Sequence, residues 1–184
     1  MMPITLNGSG TVSGISAGGL PDGIIQSADL ATGVGGKILQ VKQSFKNDTQ
    51  SLSGTQAYTL IQGLGTTMTL SNSSNKILVN IHLTHAQSAS NYAVFRLYDG
   101  SSAITAAHST GASSLNTSIL TYLNANQASS YVNASFSYLY APGDTNAHTI
   151  NLYGNPFNTT IYINSTGNTN SYGTSSMTLM EVAA

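Results

Sequence analysis

Apolar and polar residues alternate in short runs along most of the chain. The clearest run is 77–83, in which Ile77, Val79, Ile81 and Leu83 fall on one face and the residues between them fall on the other. Period-two alternation is typical of a β-strand with one buried face, because successive side chains point to opposite sides. No segment shows a sustained apolar period of 3.6 residues, so the pattern predicts an all-β protein.

Similar runs recur at short intervals from residue 37 onward, separated by turn residues such as Asp99-Gly100 and Pro142-Gly143-Asp144. We predict strands at 37–47, 58–64, 66–70, 77–83, 92–98, 103–107, 118–123, 132–140, 148–153, 160–164 and 176–182. Many short strands with frequent turns are the signature of a sandwich or barrel. A jelly roll is the most economical architecture for about eight core strands. We therefore expect 37–184 to form a jelly-roll-like β-sandwich head.

Residues 1–36 differ from the rest of the chain. They contain nine of the 18 glycines and no aromatic residue, so they cannot bury a core of their own. We expect a short Gly-rich N-terminal arm that packs on other copies or on other proteins. Its apolar side chains are the candidate assembly contacts: Ile4, Leu6, Val12, Ile15 and Leu20.

The composition excludes several classes of function. Ser, Thr, Gly and Asn supply 83 of the 184 residues, and only 11 residues are charged, with a net charge of −1. Five basic residues cannot form the positive surface of a nucleic-acid-binding protein or of a polybasic membrane anchor. We also expect no secretory signal and no membrane insertion, since neither a basic leader nor a long apolar run is present. We therefore expect synthesis in a cytoplasm.

No motif predicts catalysis, a metal or a cofactor. The sequence 14–18 matches G-x-S-x-G, but a Gly/Pro turn follows it where a nucleophile elbow needs a helix. His82 and His85 are three residues apart in a predicted strand, so they point to opposite faces and cannot both bind one metal from one chain. A metal on a trimer axis, which needs only one histidine from each chain, stays open as the alternative. We expect His82 to be exposed and His85 to lie near the strand end. We expect His108 and His148 to be isolated, each beside small or polar residues. We expect no enzymatic activity.

The scarcity of charge also bears on assembly. Proteins usually protect the edges of their sheets with charged residues. This chain has few charged residues and many predicted strands, so we expect another subunit to cover the edges.

The tyrosines fall into two kinds of surroundings. Tyr138 and Tyr140 share a face of the predicted strand 132–140 with Phe136, which indicates the core, whereas other tyrosines lie near turns among Asn, Ser and Thr. Exposed tyrosine beside such residues is typical of adaptable binding surfaces. The candidate receptor-binding residues are Tyr131, Tyr153 and Tyr172.

Several short sequence segments occur in a characteristic order along the chain. They are ITLNGSGTVSGISAGGLPDG (4–23), GGKILQV (35–41), SNKILV (74–79), FRLYDG (95–100) and SMTLMEV (176–182). In the order of these segments the chain resembles short tail-fibre-type virion proteins of tailed phages, especially those of aquatic hosts.

The resemblance implies a homotrimeric β-sandwich head behind an N-terminal virion-attachment segment, a location in the virion and no enzymatic role. Host-surface glycans and other virion proteins, in the tail or the capsid, are the expected partners. Long fibres carry hundreds of shaft residues, whereas only 1–36 precede the head here. A capsid decoration or cement protein, mounted on the shell as a trimeric knob, is the alternative. A polysaccharide esterase or depolymerase ranks below both.

Overall fold

The computed structural model describes residues 37–54, 57–108, 118–123, 130–167 and 173–184. The all-β prediction is confirmed, since strands account for most of these residues and no α-helix occurs among them. The predicted arm, 1–36, lies outside the described residues together with its candidate assembly contacts Ile4, Leu6, Val12, Ile15 and Leu20.

Eleven strands are present in the described part of the chain. They are β1 (Ile38–Lys46), β2 (Gln50–Leu52), β3 (Thr59–Thr69), β4 (Lys76–Gln87), β5 (Asn91–Asp99), β6 (Ser102–Ala103), β7 (Ile119–Leu123), β8 (Val132–Tyr140), β9 (Ala147–Pro156), β10 (Ile161–Ile163) and β11 (Ser175–Val182).

The strands form two antiparallel sheets, as in a β-sandwich. In sheet A, β8 pairs with one edge of β4, and β11 and β10 pair with the other edge; β1 then pairs with β11, and β2 with β10. In sheet B the order is β3, β9, β5, and both β6 and β7 pair with β5.

One continuous apolar core lies between the sheets. The face predicted to be buried, Ile77, Val79, Ile81 and Leu83, is at most 3% exposed. Sheet B contributes buried residues with the same alternation, such as Phe95 and Leu97 on β5 and Ile150 and Leu152 on β9. Phe136, Tyr138 and Tyr140 pack against this core from β8, as their shared face predicts.

The structure differs from the predicted strands in three places. The predicted strands 58–64 and 66–70 are one strand, β3, because the pairing with β9 continues across a register shift between Leu60 and Gly65. Gly63 has a φ of +74°, which only glycine adopts without strain, so it bends the strand without ending it. The strand predicted at 103–107 is limited to β6 and is followed by a 3-10 turn at Thr105–Ala107. β2 was not predicted.

In β1 the polar side chains face inward, toward β3 of the other sheet, and the apolar side chains face outward. This is the reverse of the usual arrangement in a sandwich strand. Gln40 Nε2 donates to Thr69 O at 2.7 Å, and Lys42 Nζ donates to Thr67 O at 3.0 Å. These carbonyls belong to the edge of β3 with which no described strand pairs. The polar side of β1 is therefore satisfied by backbone groups of the other sheet.

Candidate functional site

Three strand ends converge to place titratable side chains together. Asp99 is the last residue of β5, Tyr140 is the last residue of β8, and His148 is the second residue of β9. His148 Nδ1 lies 2.6 Å from Asp99 Oδ2, and Tyr140 Oη donates to the same oxygen at 3.0 Å. Because β5 pairs with β9, the register of sheet B brings Asp99 and His148 into contact.

Asp144 completes this cluster from the loop between β8 and β9. Its Oδ1 lies 3.1 Å from His148 Nε2 and accepts a hydrogen bond from Asn146 N at 2.7 Å. The backbone hydrogen bond from Asn146 holds the pKa of Asp144 below its usual value, and His148 adds to this effect. Each ring nitrogen of His148 therefore lies within hydrogen-bond distance of a carboxylate oxygen, one from Asp99 and one from Asp144.

Tyr140 is held as a neutral phenol beside these charges. Burial, followed by its hydrogen bond to Asp99, raises the pKa of Tyr140 to about 12. Its ring meets the His148 ring edge-on, at an angle of 88° and a centroid distance of 6.1 Å. The tyrosine therefore donates a hydrogen bond to Asp99 and packs on His148 at the same time.

The cluster forms one wall of an open cleft of about 480 Å³, called here the Asp99 cleft. Residues from β5, β6, the 3-10 turn, β8 and β9 line it: Asp99, Gly100, Ser102, Ala103, Ile104, Thr105, Ala106, Tyr140, Ala147, His148 and Thr149. The lining contains a carboxylate, a phenol and an imidazole, but no lysine or arginine. The cleft can thus offer charged acceptors and hydroxyl groups to a ligand.

The expectation that His148 is isolated was wrong. Asp99 and His148 are far apart in sequence, and only strand pairing brings them together. The one signal within the sequence was the four-residue spacing between Asp144 and His148. His108 is different: its Nε2 lies 3.3 Å from Leu97 O, and burial lowers its pKa.

The candidate receptor-binding tyrosines do not form one site in the described residues. Tyr131 precedes β8 and is 39% exposed, whereas Tyr153 stacks on Tyr98 of β5 with ring centroids 4.1 Å apart. Tyr172 lies outside the described residues. Sequence analysis did not predict the group around Tyr153, in which Tyr98 also meets Tyr58 and the Arg96 guanidinium lies 4.0 Å from the Tyr58 ring centroid.

A second aromatic group occurs on the neighbouring part of sheet B. Tyr92 of β5 and Tyr122 of β7 are directly paired, with ring centroids 4.9 Å apart, and Phe157 approaches Tyr92 edge-on. Side chains at 92, 96 and 98 alternate with the buried residues of β5, so both groups belong to the outer face of sheet B.

The outer face of sheet A carries an apolar row that crosses all four of its long strands. Val41, Met180, Leu78 and Leu139 are successive cross-strand neighbours on β1, β11, β4 and β8. Val41 is 57% exposed and Leu139 is 45% exposed; Phe45, two positions further along this side of β1, is 62% exposed. We call Val41, Phe45, Leu78, Leu139 and Met180 the apolar face of sheet A. Its edge residues expose large side chains that a monomer would normally bury.

His82 and His85 have opposite environments, as their spacing predicts. His82 is exposed, whereas His85 is fully buried and lies two residues before the end of β4, near the strand end as expected. His85 Nε2 lies 3.1 Å from Thr121 Oγ1, and the ring packs 5.1 Å from that of Phe95. Burial lowers the pKa of His85 to about 4, because the imidazolium would lose its hydration.

His85 should therefore make stability depend on pH. Its pKa in the folded state is about 4, below the usual value of 6.5. The stabilisation is complete above pH 6.5 and is lost as the pH falls toward 4, by roughly 3 kcal/mol in total. Urea unfolding at a series of pH values should show this decline in the native protein and a clearly smaller one in His85→Gln, where the lowered pKa of His108 still contributes.

His82→Gln is the matched control, because His82 is on the same strand but exposed. It should keep the native slope between pH 6.5 and 4. An identical slope in the His85→Gln and native proteins would contradict the assignment of this pH dependence to His85.

Neither a metal-binding cluster nor a membrane-spanning helix occurs in the described residues. No group of three or more His, Asp or Glu side chains there is arranged to hold a metal ion. No helix within the same ranges has the length and apolar character needed to cross a bilayer.

The fold and its surfaces define the class of this protein as an antiparallel β-sandwich with a cleft at one end and an apolar outer face. Comparisons with protein-family models and with curated protein sequences found no match.

Proposed function

We propose that this protein is a structural and adhesive subunit of a phage virion, forming the trimeric head of a short tail fibre that attaches to a glycan of the host surface. The observation that carries this proposal is the apolar face of sheet A. It lies on the outer surface of a sandwich that already has a continuous core, and an exposed apolar face of this kind is typical of a contact with another chain. A second copy of the chain carries the same apolar face, so the two faces can pack together without any charged residues at the contact.

The reversed polarity of β1 supports this use of the face. If β1 merely closed the sandwich, its apolar side would point inward. Instead Gln40 and Lys42 bind the edge carbonyls of β3, which leaves Val41 and Phe45 directed outward. Exposing either side chain on a monomer forgoes about 1.5–3 kcal/mol of burial. Assembly recovers that free energy.

We further propose that the sandwich is a jelly roll. The antiparallel pairs β1 with β11, β3 with β9, β4 with β8 and β5 with β7 support this interpretation. In this order the first long strand pairs with the last, the second with the second-last, and so on to the middle of the chain. Two intertwined Greek keys have this pairing order. Viral capsid domains and lectins use this architecture, which is compatible with a role in the virion.

The proposal assigns attachment to the arm at 1–36 and adhesion to the head at 37–184. Other virion proteins are the partners of the arm. The head contacts the host through polar groups and tyrosines, and the few charges on its surface limit nonspecific association. The subunit is made in the host cytoplasm and resides in the virion.

The native mass tests the assembly. Sedimentation equilibrium of the full chain should give three times 19.1 kDa, and a stable monomer would contradict the proposal. Electron microscopy of particles carrying a label on this subunit should then place it at the tail. Label over the shell would instead identify a capsid decoration protein.

A further inference from the structure

We propose that the Asp99 cleft binds a neutral sugar unit of a glycan, through hydroxyl groups that donate to the Asp99 carboxylate in its wall. This inference deepens the adhesive part of the proposed function and rests on it for its biological role.

The size of the cleft suits one sugar unit with its linkage. Its volume of about 480 Å³ falls within the range of roughly 300–1,000 Å³ typical of small-ligand pockets. It is open to solvent on one side, which allows a chain to continue beyond the bound unit. Ile104 and Ala103 supply apolar surface in the lining, and Tyr140 supplies an aromatic one.

The two carboxylates are oriented before any ligand arrives. His148 is 7% exposed and lies between them, within 3.1 Å of both. Asp99 Oδ2 accepts from Tyr140 Oη and lies 2.6 Å from His148 Nδ1, whereas Asp144 Oδ1 accepts from Asn146 N and lies 3.1 Å from His148 Nε2. Within the described residues, the side-chain hydrogen bonds of Asp99 leave its Oδ1 available to a ligand. Fixed acceptors of this kind reduce the ordering cost of binding a hydroxyl group.

The remaining lining selects against anions. No lysine or arginine faces the cleft, so a uronate or phosphate would meet the Asp99 carboxylate without either side chain to compensate its charge. An ammonium group can only donate hydrogen bonds, so it cannot accept one from the hydroxyl groups of the lining. The hydroxyl groups of Ser102 and Thr105 both donate and accept. Sugar hydroxyls, which also do both, match this mixture of groups.

Trimeric assembly would give each head three such clefts. A single neutral sugar bound mainly by hydrogen bonds would have a weak affinity, about millimolar, equivalent to roughly −4 kcal/mol. Three clefts engaging one surface at the same time raise the overall avidity by about 10² to 10⁴. Weak individual sites are therefore sufficient for adhesion.

The test is a titration of the full-length, isotopically labelled protein with methyl glycosides of glucose, galactose and mannose, followed by amide NMR. We expect at least one of the three to shift the amide signals of Gly100, Ala106 and Thr149. Glucuronate and glucosamine, added separately, serve as the charged probes.

Two variants locate the binding. Ala106 lines the cleft and is exposed, so Ala106→Trp should obstruct the cleft and weaken binding about tenfold or more without disturbing the core. Ala141 is similarly exposed but outside the lining, and Ala141→Trp should bind like the native protein. Asp99→Asn should weaken binding by about 10- to 100-fold, the cost of a hydrogen bond to a charged group.

The inference is overturned if none of the neutral glycosides binds, if only a charged probe binds, or if Ala106→Trp binds as well as Ala141→Trp. Native mass is measured on the same samples. A trimer that fails to bind sugar overturns this inference and leaves the assembly intact. A monomer that binds sugar overturns the proposed assembly and leaves this inference intact.

Discussion

Replacing Val41 by Asp is expected to convert the proposed trimer into a monomer of 19.1 kDa. Val41 lies at the β1 end of the apolar row and is 57% exposed in the single chain. In the assembly the new carboxylate would be removed from water without a partner, while the burial of the valine would be lost. The combined cost is at least about 3 kcal/mol per interface, or more than about 100-fold in dissociation constant.

The measurement is sedimentation equilibrium at several protein concentrations, together with thermal unfolding. The monomeric variant should retain the far-ultraviolet circular dichroism of a β-protein, because an exposed strand position contributes little to the fold itself. Phe45→Asp, on the same side of β1, should give the same result.

Tyr122→Asp provides the matched control. Tyr122 is 56% exposed, almost as much as Val41, but it belongs to sheet B. This variant should remain trimeric. If Val41→Asp also remains trimeric, the apolar face of sheet A is not the interface. If both variants dissociate, the interface includes sheet B.

The second large effect is a loss of stability, expected when Glu181, a buried carboxylate of β11, is replaced. It is 1% exposed and accepts hydrogen bonds from Ser71 N and Oγ, Asn75 Nδ2 and Gln40 Nε2, all within 2.7 Å. Burial alone would raise the pKa of Glu181, but these hydrogen bonds outweigh it and lower the pKa to about 2. The carboxylate thereby links β1 and the turn after β3 to the centre of sheet A.

Glu181→Ala is expected to reduce the free energy of unfolding by about 3–5 kcal/mol, because the buried donors lose their common acceptor. Urea unfolding at neutral pH measures this directly. A loss below about 1 kcal/mol would show that water or a rearranged side chain replaces the carboxylate.

The pH dependence of the free energy of unfolding separates the contribution of the Glu181 charge from that of its side-chain shape. Its folded pKa of about 2 is below the usual value of 4.5, so the stabilisation is complete above pH 4.5 and is lost as the pH falls toward 2. Glu181→Gln keeps the shape and should remove this acid dependence. The dependence due to His85 lies at higher pH and should persist in that variant. Retention of the slope below pH 4.5 in Glu181→Gln would assign it to other carboxylates.

Local patterns in the sequence predicted the strands well where one face is buried against the other sheet. The run 77–83 alternates clearly, and its apolar side is the buried side of β4. β1 also alternates, but the sequence does not say which side faces inward. That choice depends on the carbonyls of Thr67 and Thr69, which lie on a distant strand at an edge with which no described strand pairs.

The candidate site was harder to predict because its geometry depends on pairing across long intervals. Asp99 was recognised as part of a hairpin-type turn and His148 as a strand residue, but their contact depends on the register of β5 against β9. Tyr153 was selected for its polar neighbours, whereas the structure packs it on Tyr98. Abundant Ser, Thr and Asn give almost no positional signal, so the lining of the Asp99 cleft could not be predicted from composition.

The hydrogen bonds from β1 to β3 have a consequence for aggregation. An unpaired strand edge invites a strand from another molecule to add to it, which is a common route to fibrils. Here Gln40 and Lys42 occupy the carbonyls of Thr69 and Thr67. A chain with so few charges thus blocks strand addition along this part of β3 with side chains of its own.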